Sequence, residues 1–298
     1  MLGALLLTDG PMATADPSTP IPPLTPPLPL PRAIEHARDW PTGPGPCTLI
    51  VYGGMFDPPT VAHAVLPLIA LAHVGSATLR PVGILYVPAA RSPLKDAQPG
   101  ASAEHRLEML RLALSDAPAE FWSIWTDELD RARSDPQTPS YTVDTLRRAR
   151  SALDRLGRSD VTLRLLIGAD QALALPRWRS PDEVIALAEP LVLARADPHP
   201  PHEHPHDHAQ GGPSTPPTAD DLPQRLARAG VPGAPDQWRS RIVDAPALAH
   251  SSTAARRAAA AGRSSGFLHP SVEAYIREHR LYLDAPAAHA TAPPGANT

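Results

Sequence analysis

The run Gly53-Gly54-Met55-Phe56-Asp57-Pro58-Pro59-Thr60-Val61-Ala62-His63 gathers two glycines, a hydroxyl and an imidazole into one short stretch. An apolar segment from Cys47 to Tyr52 leads into it, and a helix-like segment leaves it near Thr60. Strand, glycine turn and helix start are the parts that bring backbone N–H groups against phosphate. Glycine lets the chain come close without Cβ interference. The first turn of a helix offers unpaired N–H donors and partial positive charge. His63 falls in that first turn, and the Thr60 hydroxyl can donate to a phosphate oxygen without carrying charge. Phe56 and Pro58 stiffen the turn, and Pro58-Pro59 delays the helix until Thr60.

Four further stretches carry side chains of the right kind. Lys95 ends the loop Pro88-Ala89-Ala90-Arg91-Ser92-Pro93-Leu94-Lys95, where it can reach a phosphate as a point charge. Ser140-Tyr141-Thr142-Val143-Asp144-Thr145-Leu146 opens a helix, with Ser140 and Thr142 as N-cap candidates. Leu166-Ile167-Gly168-Ala169-Asp170 places a glycine and a carboxylate at a strand end, and Asp170 can accept from ribose hydroxyls. Trp178 and Arg179 follow close behind. Last, His250-Ser251-Ser252-Thr253-Ala254-Ala255-Arg256 puts hydroxyls and a guanidinium at a helix start, with Ser252 or Thr253 as the cap. That is a second phosphate cradle. Each stretch alone also fits a plain capped helix or a solvated charge.

The elements that must position these residues alternate. Strands are expected at Thr48–Tyr52, Gly83–Pro88, Phe121–Thr126, Val161–Ile167, Pro190–Arg195 and Arg241–Asp244. Helices are expected at Val61–His73, with Pro67 as a kink, then Ala103–Ser115, Thr142–Leu156, Pro181–Ala188, Thr253–Ala261 and Ser271–His279. The pattern predicts an α/β fold, a Rossmann-like doubly wound parallel sheet with helices on both faces. In such sheets ligands bind beyond the strand C-termini, where all five stretches fall.

Composition bounds the rest. The chain has 298 residues, a net charge of −4, 40 prolines and one cysteine, Cys47. A mildly acidic balance implies no general affinity for nucleic acid. One cysteine excludes an internal disulfide framework and suits a reducing, cytoplasmic setting. No run approaches the roughly 18 apolar residues that span a bilayer, so no membrane partner is expected. Ala4-Leu5-Leu6-Leu7 lacks a preceding basic residue and is too short an apolar core for a signal peptide. Residues 1–46 read as a disordered Pro-rich tail, 47–283 as one domain, and 284–298 as a second disordered tail. Within the domain, about 197–236 reads as a low-complexity insert. His199, His202, His204, His206 and His208 there alternate with proline and acidic residues, which suits weak metal contact better than a fixed site.

The Gly53–His63 turn resembles the signature of the nucleotidyltransferase superfamily. Thr60 stands where most bacterial members have His, and Ala62 where a glycine is usual. Ser140–Leu146, Trp178 and Ser251–Arg256 are similar to elements of the nicotinate-mononucleotide adenylyltransferases in that superfamily. The resemblance covers about 48–195 and 237–283. It implies that ATP and nicotinate mononucleotide give deamido-NAD and pyrophosphate. It assigns ATP contacts to Gly53, Gly54, Phe56, Thr60, His63, Ser252, Thr253 and Arg256, with His63, Thr60, Arg256 and Lys95 as the catalytic set. It assigns the mononucleotide to Lys95, Tyr141, Thr142, Gly168, Asp170, Trp178 and Arg179. Trp178 would stack on the pyridine, and the N–H groups of Thr142 and Arg179 would face its carboxylate. Mg²⁺ would ride mainly on ATP phosphates and water, without a protein ligand cluster. The alternatives are the amidated mononucleotide, another adenylyl- or cytidylyltransferase chemistry, or a nucleotide-binding scaffold docking through its Pro-rich tails. A homo-oligomer stays open.

Overall fold

The computed structural model describes residues 48–78, 82–90, 100–135, 139–195, 217–246 and 251–283. Six strands form one parallel sheet: β1 (Thr48–Gly54), β2 (Val82–Pro88), β3 (Trp122–Ile124), β4 (Thr162–Gly168), β5 (Glu189–Arg195) and β6 (Ile242–Ala245), in the order β3-β2-β1-β4-β5-β6. The strand order reverses between β1 and β4, which opens a crevice at their C-terminal ends. Leu49, Ile50 and Val51 are buried without alternation, as a central strand covered on both faces requires. Register places Gly53 beside Val87 and Gly54 beside Pro88, so the glycine turn emerges level with the end of β2.

Helix α1 (Val61–Thr78) covers one face of the sheet through Ala62, Leu66, Ala70 and Val74, at a spacing of one turn. The helix continues through Pro67 instead of stopping there. Pro67 leaves the His63 carbonyl without its helical donor, and the Tyr86 hydroxyl donates to it at 3.2 Å. The opposite face is covered by the helix Thr142–Arg155 and its neighbours, packing Val143, Leu146 and Leu153 onto Leu165 and Ile167. Along the edge, α2 (Ala103–Ala113) joins the two C-terminal helices through Met109, Ala255, Val272 and Ile276.

The expected strands and helices are present, with shifted ends. Phe121 belongs to a 3₁₀ turn, and the edge strand after it is only three residues long. Helix α3 (Asp127–Ser134) is absent from the pattern of apolar residues, because only Leu129 on it is a buried hydrophobe. Its charges did carry a signal, with acids in the first turn and arginines in the last. After α3 come α4 (Thr142–Arg155), α5 (Ala169–Ala174) and α6 (Pro181–Leu187).

The second half of the expected low-complexity insert is folded. Leu222–Arg228 forms α7 and Pro235–Arg239 forms α8. Leu222, Leu226 and Trp238 are fully buried in the main core. Ser252–Ala260 and Pro270–Glu278 complete the fold as α9 and α10. The expectations for 1–46, for 197–216 with its histidines, for 284–298, and for Cys47 and Lys95 fall outside the described residues. No helix among the described residues is long and apolar enough to cross a membrane.

Candidate active site

The glycine turn is built from behind. Phe56 has a φ of 48°, a left-handed backbone for a bulky residue, and its ring lies where a Cβ on Gly54 would come within 3.0 Å. Glycine at 54 is therefore what lets Phe56 fold under the turn. The ring is 1% exposed and meets the His63 imidazole edge-on, with centroids 5.3 Å apart. Phe56 thus supports His63 from beneath with its side chain. Gly53 has no such neighbour; a Cβ there would meet only the Val87 carbonyl, at 3.9 Å.

Thr60 is also fully buried. Its backbone N–H donates to His63 Nδ1 at 2.9 Å, and its hydroxyl lies 2.8 Å from the same nitrogen. The expectation that this hydroxyl donates to a phosphate gives way to a positioning role. Because Nδ1 accepts from the backbone, the neutral ring carries its hydrogen on Nε2. One strand end, one glycine turn and one helix start thus set the orientation and tautomer of the imidazole.

Asp57 is the hub that ties this turn to the rest of the molecule. It is 5% exposed and accepts from Gly100 N at 2.7 Å, Ala101 N at 3.2 Å and the Tyr282 hydroxyl at 2.7 Å. Burial and the Asp57 charge push the Tyr282 hydroxyl far above the usual tyrosine range, so it stays a donor. Arg106, 2% exposed, donates from one nitrogen to the Met55 carbonyl at 2.7 Å and the Ala89 carbonyl at 2.8 Å. Burial draws its guanidinium below the ordinary range, with Asp57 opposing that shift. Sequence reasoning passed over Arg106 and Tyr282. The signal for Arg106 was its spacing of three and four from Met109 and Leu110, which puts it on the inward face of α2.

The start of α9 closes the turn from the other side. Ser251, not Ser252 or Thr253, is the cap, accepting from Ala254 N at 3.0 Å. Ser252 is thereby released to donate to the Pro58 carbonyl at 2.9 Å. Arg256 donates to the Asp57 carbonyl and, at 3.2 Å, to Thr253 Oγ1. His63, Ser252, Thr253 and Arg256 therefore converge on one turn, although nearly two hundred positions separate the two segments.

The other expected residues meet on the far side of the turn. A cavity of about 500 Å³ opens at the crevice between β1 and β4. Gly53, Gly54, Tyr141, Thr142, Gly168, Asp170, Trp178 and Arg179 all line it. Helix α4 starts there with Tyr141 at the N-cap position and no side-chain cap, which corrects the Ser140 or Thr142 cap expected. An uncapped helix start facing a cavity suits an anion. Arg179 lies 4.8 Å over the Tyr141 ring and 3.7 Å from the Asp144 carboxylate, so its guanidinium belongs to the rim. Trp178 Nε1 is buried with no acceptor among the described residues. Glu128, on α3, lines the same cavity and was not legible as a site residue.

A family model described as cytidylyltransferase-like matches residues 51–258. A "Probable nicotinate-nucleotide adenylyltransferase" of Roseiflexus sp. (strain RS-1) is 34% identical over 233 residues, covering 78% of this chain and 96% of that protein. One of the same name from Dechloromonas aromatica (strain RCB) is 33% identical over 245 residues, covering 79% and 97%. In fold, the chain is similar to a solved Plasmodium falciparum nicotinic acid mononucleotide adenylyltransferase complexed with NaAD. That likeness has a TM-score of 0.51 at 17% identity, covering 79% of this chain and 97% of the other. The glycine turn, the β1–β4 crevice and the helix start beside it fall within the matched span, and the chain belongs to the cytidylyltransferase-like family, among the nicotinate-nucleotide adenylyltransferases.

Proposed function

We propose that this protein joins ATP to nicotinate mononucleotide, forming deamido-NAD and pyrophosphate. One observation carries the reading: a cavity at the β1–β4 crevice lined by the glycine turn, the uncapped start of α4 and Trp178. The cavity suits a flat ring bearing an anionic group, and the Gly53–His63 turn beside it suits phosphates. A phosphate oxygen of the mononucleotide attacks the α-phosphorus of ATP. The new O–P bond forms in line as the bond to the β-phosphate oxygen breaks, and pyrophosphate leaves with the electron pair. No covalent nucleophile is required; the protein positions the reactants and spreads charge.

His63 offers its Nε2 hydrogen to a phosphate oxygen, held in that orientation by Thr60. Arg256 and the start of α9 receive the pyrophosphate, and Lys95 adds a point charge from its loop. Trp178 stacks on the pyridine, while Thr142 and Arg179 face its carboxylate through backbone N–H groups. Asp170 takes the ribose hydroxyls. Mg²⁺ would sit on phosphate oxygens and water, where it would neutralise phosphate charge. The Asp57 carboxylate already accepts three hydrogen bonds. Among the described residues no group of three or more His, Cys, Asp or Glu side chains could hold a metal. We place the reaction in the cytoplasm.

Pyrophosphate release from ATP, measured with nicotinate mononucleotide, nicotinamide mononucleotide and neither, tests the reading. Release with the acid, at a kcat/KM about tenfold or more above that with the amide, is the expected result, because an amide leaves a donor of this site unpaired. No release with either overturns the reading.

A further inference from the structure

Glu128 is a carboxyl group built into the wall of the cavity assigned to the pyridine. It is 9% exposed, lines the cavity and sits on α3 with Leu129 anchoring the helix beneath it. Its hydrogen bonds have a definite direction. Arg131, one turn along α3, donates to Thr145 Oγ1 at 3.0 Å. A guanidinium cannot accept, so the single hydroxyl hydrogen of Thr145 goes to Glu128 Oε1 at 2.8 Å. Oε1 is thus an acceptor, and any proton on the carboxyl group sits on Oε2. No described residue makes a hydrogen bond to Oε2. Thr145 also lies one turn after Thr142, on the same face of α4. That places the relay beside the helix start that faces the ligand.

A carboxylate substrate entering this wall meets a second carboxyl group. Two carboxylates in contact cannot both ionise without a large penalty; one holds the proton and donates it to the other. An amide substrate has the opposite need, since its NH₂ group pairs with an ionised Glu128. Building on the adenylyltransferase reading, we infer that Glu128 is a specificity-determining residue. Arg131 and Thr145 orient it to present an Oε2 hydroxyl to the pyridine carboxylate, and its ionisation shifts preference toward the amide.

The surroundings favour the neutral form. Burial raises the carboxyl pKa above the ordinary glutamate value, with Asp127 adding to the shift and the Thr145 hydrogen bond and Arg131 opposing it. Arg148 on α4 is occupied with Asp127, 3.9 Å away. Across the cavity stand Tyr141, Asp170, Arg177 and Arg179, of which Arg179 is drawn to Asp144 at the rim. The sign follows: the neutral donor is present at low pH and is lost as pH rises through the raised pKa.

The test is the ratio of kcat/KM for nicotinate mononucleotide to that for nicotinamide mononucleotide, with the full chain, scanned from about pH 5 to about pH 9. Both substrates carry the same phosphate and use the same ATP, so effects of pH common to the two reactions cancel in the ratio. In the wild type the ratio should fall at least tenfold as pH rises. In Glu128→Gln, whose amide reproduces the acceptor toward Thr145 and a donor at the second position, the ratio should become independent of pH. Glu128→Ala should raise KM for the acid about tenfold with little change in kcat, and Glu128→Gln should recover most of that loss. Thr145→Val removes the hydrogen bond that favours the ionised carboxyl, so the fall in the ratio should move to higher pH. Thermal melting confirms that each variant is folded. A wild-type ratio that does not change with pH, or a pH dependence that survives in Glu128→Gln, overturns this inference and leaves the adenylyltransferase reading intact. No turnover of either mononucleotide overturns both.

Discussion

In the proposed reaction, His63 and Trp178 divide the chemistry between the two sides of the glycine turn. Thr60 holds His63 Nδ1, so the imidazole presents one defined hydrogen. His63→Ala should therefore stay folded and lose on the order of 10²–10³ in kcat, the usual scale for one lost transition-state donor. Stopped-flow or steady-state turnover of the purified variant checks this, and near-normal kcat would remove His63 from the reaction. Unlike His63, Trp178 lines the cavity. Its replacement by Ala should raise KM for the mononucleotide about tenfold and leave that for ATP nearly unchanged, on the scale of a stacked aromatic contact. An effect confined to ATP would place the pyridine elsewhere.

At the scale of elements, the turn is a joint between helices that are distant in sequence. Arg106 comes from α2, Ser252 and Arg256 from α9, and Tyr282 from the segment after α10. All of them bond the Met55–Pro58 backbone or the Asp57 carboxylate. Tyr282→Phe keeps the ring packed against Gly100 and deletes the hydrogen bond to Asp57, together with a long 3.9 Å contact to Met109 Sδ. It should cost about 1.5–3 kcal/mol, the range for a hydrogen bond to a charged group. Chemical denaturation measures that loss. Because the same joint sets the backbone beneath His63, kcat should fall several-fold in parallel. Unchanged stability and turnover would show that the Gly100 and Ala101 N–H groups hold Asp57 alone.

For the whole molecule, the question is which parts of 298 residues the fold needs. Residues 1–46 hold no apolar periodicity and no site residue, and the stretch 199–217 is dominated by His and Pro. A chain starting near Pro46, and one with 199–217 replaced by a Gly/Ser linker, should keep kcat/KM within a few-fold. Extending the replacement to 236 should unfold the protein. It removes Leu222 and Leu226 and undermines Trp238, all fully buried in the main core. At about 1.5–3 kcal/mol for each buried side chain, that loss approaches the whole stability of a domain. Circular dichroism and turnover of the deletions separate the two cases.

Local patterns were enough for the sheet and for the turn. Leu49–Val51 is an apolar run that only a doubly covered strand accommodates, and glycines followed by prolines must break before a helix. The residues flanking those breaks were legible as candidates for phosphate and anion contact because their chemistry lies in their type and their place at a helix start. The roles inside the site were not legible. Thr60 points at His63, Phe56 props the imidazole from below, and Ser251 takes the cap that frees Ser252 for Pro58. Each depends on a rotamer and a neighbour, which spacing does not encode. Arg106, Tyr282 and Glu128 were hidden for a related reason. A charged or polar side chain on a polar helix reads as solvated until the fold buries it. Only tertiary packing brings Arg106 to two carbonyls, Tyr282 to Asp57, and Thr145 to Glu128 and Arg131, because partners remote along the chain become neighbours only when the helices close on the sheet.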